Sequence, residues 1–139
     1  MAIPASSNSR LFYRASKQRF EDAEFLLDVD RTTAAVYLAG YSVECILKSL
    51  ILAGVPRAQE ADILAMFRGA RAHNYDWLLR LYAEKGNPRL PPDVVPHFAR
   101  VNTWSTDMRY SPGTIGLRDA KAFLDSSVRI LTWADGRLS

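Results

Sequence analysis

The chain has 139 residues, of which 48% are hydrophobic and 24% charged, with a formal net charge of +3. This is the composition of an ordinary soluble globular domain, long enough to bury a real core and short enough to be a single domain over residues 1–139. So small a net charge does not announce a nucleic-acid binder, although the basic residues are arginine-heavy (14 Arg against 4 Lys), and the lone Cys45 excludes an internal disulfide or a zinc knuckle.

The first periodic segment follows Ser6, Ser7 and Ser9, whose hydroxyls suit a helix N-cap. Phe12, Ser16, Phe20, Ala23 and Leu27 recur on one face, and the segment ends near Asp28-Val29-Asp30. Those two aspartates have neither the Gly-Ser turn nor the flanking strand of a nucleotidyltransferase centre. The second segment runs from Thr32 or Thr33 to Ala53, stopped by Gly54 and Pro56. Its apolar run, Ala34 to Ala53, is 20 residues long, about the 30 Å needed to cross a bilayer. Glu44 and Lys48 near its middle would each cost roughly 2.5–3.5 kcal/mol there, so a buried central helix is expected. No apolar signal-peptide core opens the chain, which points to the cytoplasm.

Tyr37, Tyr41, Glu44 and Lys48 fall 4, 3 and 4 residues apart and form one polar stripe on this helix. The stripe is either an exposed edge or the wall of a cleft, with Glu44 holding a basic partner from elsewhere. Arg109 is the partner expected.

The third segment is a short piece from Glu60 to about Arg68, broken at Gly69, and then a helix from about Asn74 to Lys85. The fourth begins after Pro91-Pro92, with Val94, Phe98, Val101, Ser105 and Met108 on one face. Arg109 to Gly113 reads as a loop. The fifth runs from about Gly116 to Ala134. No stretch alternates with the period of a strand and no repeat is present. The expected fold is all-α, an up-and-down bundle of four long helices plus a short one.

Two places could carry chemistry. Arg109 and Tyr110 precede the last helix, where free amides around Gly113 and Gly116 would make an anion site; equally, Arg109 ties down the loop and Tyr110 packs beneath it. The stretch Arg68-Gly-Ala-Arg-Ala-His73-Asn-Tyr75 sets an arginine, a histidine and a tyrosine close together, and a basic group with an imidazole at close range is enough for metal-free RNA cleavage, one moving a proton and the other neutralising the phosphate. On a continuous helix Arg68 and His73 would stand about 140° apart, so only a break at Gly69 could join them. With 14 arginines in the chain such a spacing is also a weak signal. His73 is alternatively a residue of the helix start near Asp76, and His97 a surface residue.

Taken in order, Arg19-Phe-Glu-Asp-Ala-Glu24, Ala34-Ala-Val-Tyr-Leu-Ala39, Val43-Glu-Cys-Ile-Leu-Lys-Ser-Leu50, His73-Asn-Tyr-Asp-Trp-Leu78, and Trp104 followed by Arg109-Tyr110-Ser111-Pro112 resemble the HEPN domain. The resemblance spans nearly the whole chain. It implies a small helical bundle that dimerises, binds nucleotides or RNA, and is often encoded beside a minimal nucleotidyltransferase in toxin–antitoxin or defence systems. Some such domains are metal-independent RNases with Arg-x(4–6)-His near the start of the last long helix. The matching positions after Arg109 hold Thr114, Ile115 and Gly116, with no histidine. Arg68, His73 and Tyr75 match the motif in the wrong place, between helices two and three, and read as a look-alike.

The function implied is therefore a cytoplasmic, homodimeric binding module for a nucleotide or RNA, partnering a nucleotidyltransferase, with no cofactor, metal or membrane. Arg109, Tyr110, Lys48, Glu44 and Tyr41 would form its ligand site. The alternatives are an endoribonuclease using Arg68 and His73 at a dimer cleft, and an adaptor anchored by Tyr37, Tyr41 and Trp104.

Overall fold

Ser6 starts the first helix: its hydroxyl accepts the Ser9 amide, and α1 runs Ser7–Asp28. Asp30 then takes a positive φ of 60°, which aspartate tolerates better than most residues. The Asp30 and Arg31 amides close on the carbonyls of Leu27 and Leu26, and α2 follows at Thr32–Ala53. The computed structural model describes residues 4–110 and 112–138, the Arg109 side chain set apart.

α1 and α2 form an antiparallel hairpin along a seam of small residues. Ser9 and Ser49 each donate a hydroxyl to the other's backbone carbonyl, at 2.8 and 2.9 Å. Further along, Ser16 Oγ donates to the Ser42 carbonyl at 2.8 Å. The same register sets Ala23 opposite Ala35, and all six side chains are fully buried. Side chains this small let two helices approach closely, and the hydroxyls find acceptors without leaving the seam.

α2 is long and apolar enough to cross a membrane, yet 78% of its apolar window is covered by the protein itself. α1 lies on one side of it, and α6 (Leu117–Leu138) and α4 (Tyr75–Glu84) on others. The remaining helices are α3 (Glu60–Met66) and α5 (Val95–Val101), the latter packed on α6. Gly86, at φ 85°, ends α4 with the left-handed turn that glycine permits.

The fold is all-α, with no strand among the described residues. It differs from the expected four long helices: three helices have 22 residues, α4 has 10, and α3 and α5 have 7 each. The fourth segment is the cause. α5 stops at Val101 instead of continuing to Met108, because the chain turns so that Trp104 can drop onto α2. The Trp104 amide closes on the Val101 carbonyl at 2.9 Å, and Thr106–Tyr110 is a 3₁₀ turn.

Trp104 fits there only because position 40 is glycine. A Cβ on Gly40 would stand 2.0 Å from Trp104 Nε1. The indole N–H donates to the Tyr37 carbonyl at 3.1 Å, and the ring stacks on Tyr75 with centroids 5.4 Å apart.

Candidate functional site at His73

The polar stripe of α2 is the inside of a site. Glu44 and Lys48 are 4% and 5% exposed, so the exposed-edge reading does not hold. Lys48 Nζ donates to Glu44 Oε2 at 2.8 Å and lies over the rings of Phe12 and Phe67, which touch each other edge-on, at 5.8 and 5.3 Å from their centroids. Both charges of a buried pair need such compensation, and the two aromatic faces add cation–π attraction. Lys48 is thus buried, paired and in contact with two aromatic rings.

The other Glu44 oxygen, Oε1, is 2.9 Å from His73 Nδ1. His73 ends a 3₁₀ turn over Ala70–His73, and Asn74 then caps α4 by accepting the Trp77 amide at 3.0 Å. This cap fixes the direction in which the preceding imidazole leaves the chain. With a carboxylate on Nδ1, that nitrogen carries the proton, and Nε2 of the neutral ring is the acceptor. Nε2 has no partner among the described residues.

The imidazole is 40% exposed and lines a cleft of about 360 Å³ with Asn74, Asp76, Asn102, Thr103 and Ser105. The buried rings of Tyr75 and Trp104 border it from inside. Tyr41 meets the His73 ring edge-on, with centroids 6.3 Å apart, and Tyr37 donates its hydroxyl to that of Tyr41. Among the described residues no cluster of three His, Cys, Asp or Glu side chains is placed to hold a metal ion.

A HEPN domain family model matches residues 9–137. The chain belongs to the HEPN domain family. No curated protein matches it by sequence. Among solved structures it is similar to that of TT1696 from Thermus thermophilus, with a TM-score of 0.67 at 17% identity, covering 95% of this chain and 99% of that one. At that identity the likeness speaks for the fold alone.

In this HEPN chain the expected residues sort as follows. Glu44, Lys48, Tyr41 and His73 come together. Arg68 does not join them: it is exposed, precedes the break at Gly69, and does not line the cleft. Tyr75 is buried, and its hydroxyl donates to the Gly40 carbonyl at 2.7 Å. Burial first, then the charge of Glu44, holds its pKa well above the ordinary tyrosine value, and its hydroxyl serves as a hydrogen-bond donor between α4 and α2.

Asp76 faces Asn102 Nδ2 at 3.4 Å instead of His73. His97 is half-buried, its Nδ1 3.0 Å from Ser126 Oγ. Tyr110 is 76% exposed, not packed beneath its loop. The expected Arg109 contact with Glu44 falls on a side chain outside the described ones, as does Ser111. Of the amides expected to bind an anion before α6, that of Ile115 already donates to Thr33 Oγ1 at 3.1 Å.

Sequence reasoning missed the Glu44–His73 contact, the contact of Lys48 with Phe12 and Phe67, and the Gly40–Trp104 fit. One signal for the first was present. A buried Glu with a Lys one turn on still has a free carboxylate oxygen, and His73 is one of two imidazoles that stand at a helix start.

Proposed function

We propose that this HEPN protein is a binding module for a nucleotide or RNA, with His73 as the contact at the mouth of the cleft, and that it acts as a homodimeric, non-catalytic partner of a minimal nucleotidyltransferase. One observation carries the ligand part: an imidazole fixed through Nδ1 by a buried carboxylate, with Nε2 left for a ligand. Asn74, Asn102, Thr103 and Ser105 around it supply donors and acceptors suited to sugar, phosphate and base edges.

The test is equilibrium binding of ATP and of a short single-stranded RNA to wild type, His73→Ala and Asn102→Ala. Micromolar binding by wild type is expected, weakened about tenfold by His73→Ala, the loss of one good hydrogen bond from a sugar hydroxyl or base N–H to Nε2. Equal binding by all three would remove the cleft from consideration.

The same geometry favours a second reading. An imidazole oriented by a carboxylate is the arrangement of a general base, able to take a 2′-OH proton in RNA cleavage. RNA incubated in EDTA with wild type and with His73→Gln distinguishes the two. Cleavage that disappears in the variant means an RNase whose base is His73. Under this reading Arg68→Ala leaves the rate unchanged, because Arg68 does not line the cleft.

A further inference from the structure

A second cavity adjoins the His73 cleft at Thr103 and Trp104, the two residues that line both. It measures about 440 Å³, within the range of small-molecule sites. Val36, Met108, Ile115 and Phe123 give it apolar walls, drawn from α2, the 3₁₀ turn after α5, and the approach and first turns of α6.

Hydrogen bonds hold these walls apart. Thr32 Oγ1 donates to the Ile115 carbonyl at 2.5 Å, and Thr33 Oγ1 accepts the Ile115 amide at 3.1 Å. Val36 follows Thr32 by one turn and shares its face of α2. Trp104 is fixed by its bond to the Tyr37 carbonyl and its stack on Tyr75. With its walls pinned in this way, the space is formed before any ligand arrives. Two charges of opposite sign complete the lining, Arg100 from the last turn of α5 and Asp119 from the first turn of α6. Each stands where its helix dipole favours its sign, which does not account for both lining one apolar cavity. Both are exposed, and among the described residues no side-chain hydrogen bond or ion pair engages either.

We infer that this cavity binds a small zwitterion with an aromatic body, of the class of an aromatic amino acid. The ring lies among Val36, Met108, Ile115 and Phe123. The carboxylate pairs with the Arg100 guanidinium and the ammonium with the Asp119 carboxylate. A purely apolar guest would cover both charges and pair neither. A phosphate ester would suit Arg100 and set its remaining negative charge against Asp119. A guest of both signs meets both residues, and complementarity of this kind selects one class of ligand over another. The inference is independent of what the His73 cleft holds.

The experiment is isothermal titration calorimetry of the full chain with L-tryptophan, and with tryptamine and indolepropionate, which each lack one of its charges. Submillimolar binding of one L-tryptophan per chain is expected, with the other two compounds about fivefold weaker, the loss of one exposed ion pair. Arg100→Gln weakens L-tryptophan by the same factor and leaves tryptamine unchanged. Asp119→Asn weakens L-tryptophan and leaves indolepropionate unchanged. Both positions are exposed, so these variants keep the fold. Ala122→Phe sets a ring into the cavity from the half-buried Ala122 and abolishes binding, with a thermal melt to check folding. No binding by wild type, binding indifferent to Ala122→Phe in a folded protein, or equal affinity for the three compounds would each overturn the inference.

Discussion

Gly40 shows how one missing methyl group fixes a site some distance along the chain. With a Cβ present, Trp104 has to leave α2, giving up its bond to the Tyr37 carbonyl and its stack on Tyr75. Gly40→Ala is expected to destabilise the fold by about 1–3 kcal/mol, the usual cost of overpacking a tight contact. A lower urea midpoint, with loss of near-ultraviolet circular dichroism from the displaced indole, checks this. Lys48 is the opposite case, a side chain kept for its charge. Lys48→Met leaves Glu44 buried with His73 as its remaining described partner and should cost about 3–5 kcal/mol. Adding Glu44→Gln to that variant should recover much of the loss, because the buried charge is then gone. A double-mutant cycle by chemical denaturation measures the recovery.

At the scale of elements, the Asn74 cap ties stability to the site. Asn74→Ala is expected to cost about 1 kcal/mol and, by loosening the start of α4, to free His73 from Glu44. Asn74→Ser should keep both. Thermal melts give the first quantity and the histidine proton resonances the second. The long helices were legible in the sequence because each combined a sustained 3.6-residue period with a stop or a cap: Ser6 for α1, Gly54 after α2, and the span from Gly116 for α6. α5 was not legible. Val94, Phe98 and Val101 give the period, but Ser105 and Met108 extend it by coincidence, and the helix ends where Trp104 is drawn to Gly40. The site was half legible. The stripe from Tyr41 to Lys48 follows from spacing along one helix, whereas the Glu44–His73 contact joins residues 29 positions apart, and the spare oxygen of a buried Glu says that a partner is needed but not which one. Of the two partners expected, Asp76 beside His73 was the wrong place to look, and Arg109, set against Glu44 by topology, falls on an undescribed side chain.

For the molecule as a whole, three weak acids, two buried tyrosines and the partly buried Cys45, hold their protons more tightly than usual. Burial and the charge of Glu44 push the Cys45 thiol from 9.0 up to about 11, and burial with Asp135 pushes Tyr13 from 10.0 up to about 12. Tyr75 moves in the same direction. The unfolded chain therefore releases these protons at lower pH than the folded one, so stability is constant with respect to them below pH 9 and falls as pH rises from 9 through 12. Denaturation midpoints across that range should decline, and Cys45→Ala should flatten the part between 9 and 11. At neutral pH the same shift keeps Cys45 a thiol, so its alkylation by iodoacetamide should be slow in the folded protein and fast in denaturant.

The serine and alanine seam between α1 and α2 also bears on how the chain reaches this state. Its contacts close across a turn of three residues, so the entropy lost in closing the loop is small and the two helices can meet early. Trp104 and α6 reach α2 only over long stretches of chain. The order of events that follows has the hairpin present in the folding transition state and the Trp104 side docking after it. Ser16→Ala should then slow refolding, whereas Gly40→Ala should mainly hasten unfolding. The side of the bundle that holds His73 is the last to assemble and the first to open.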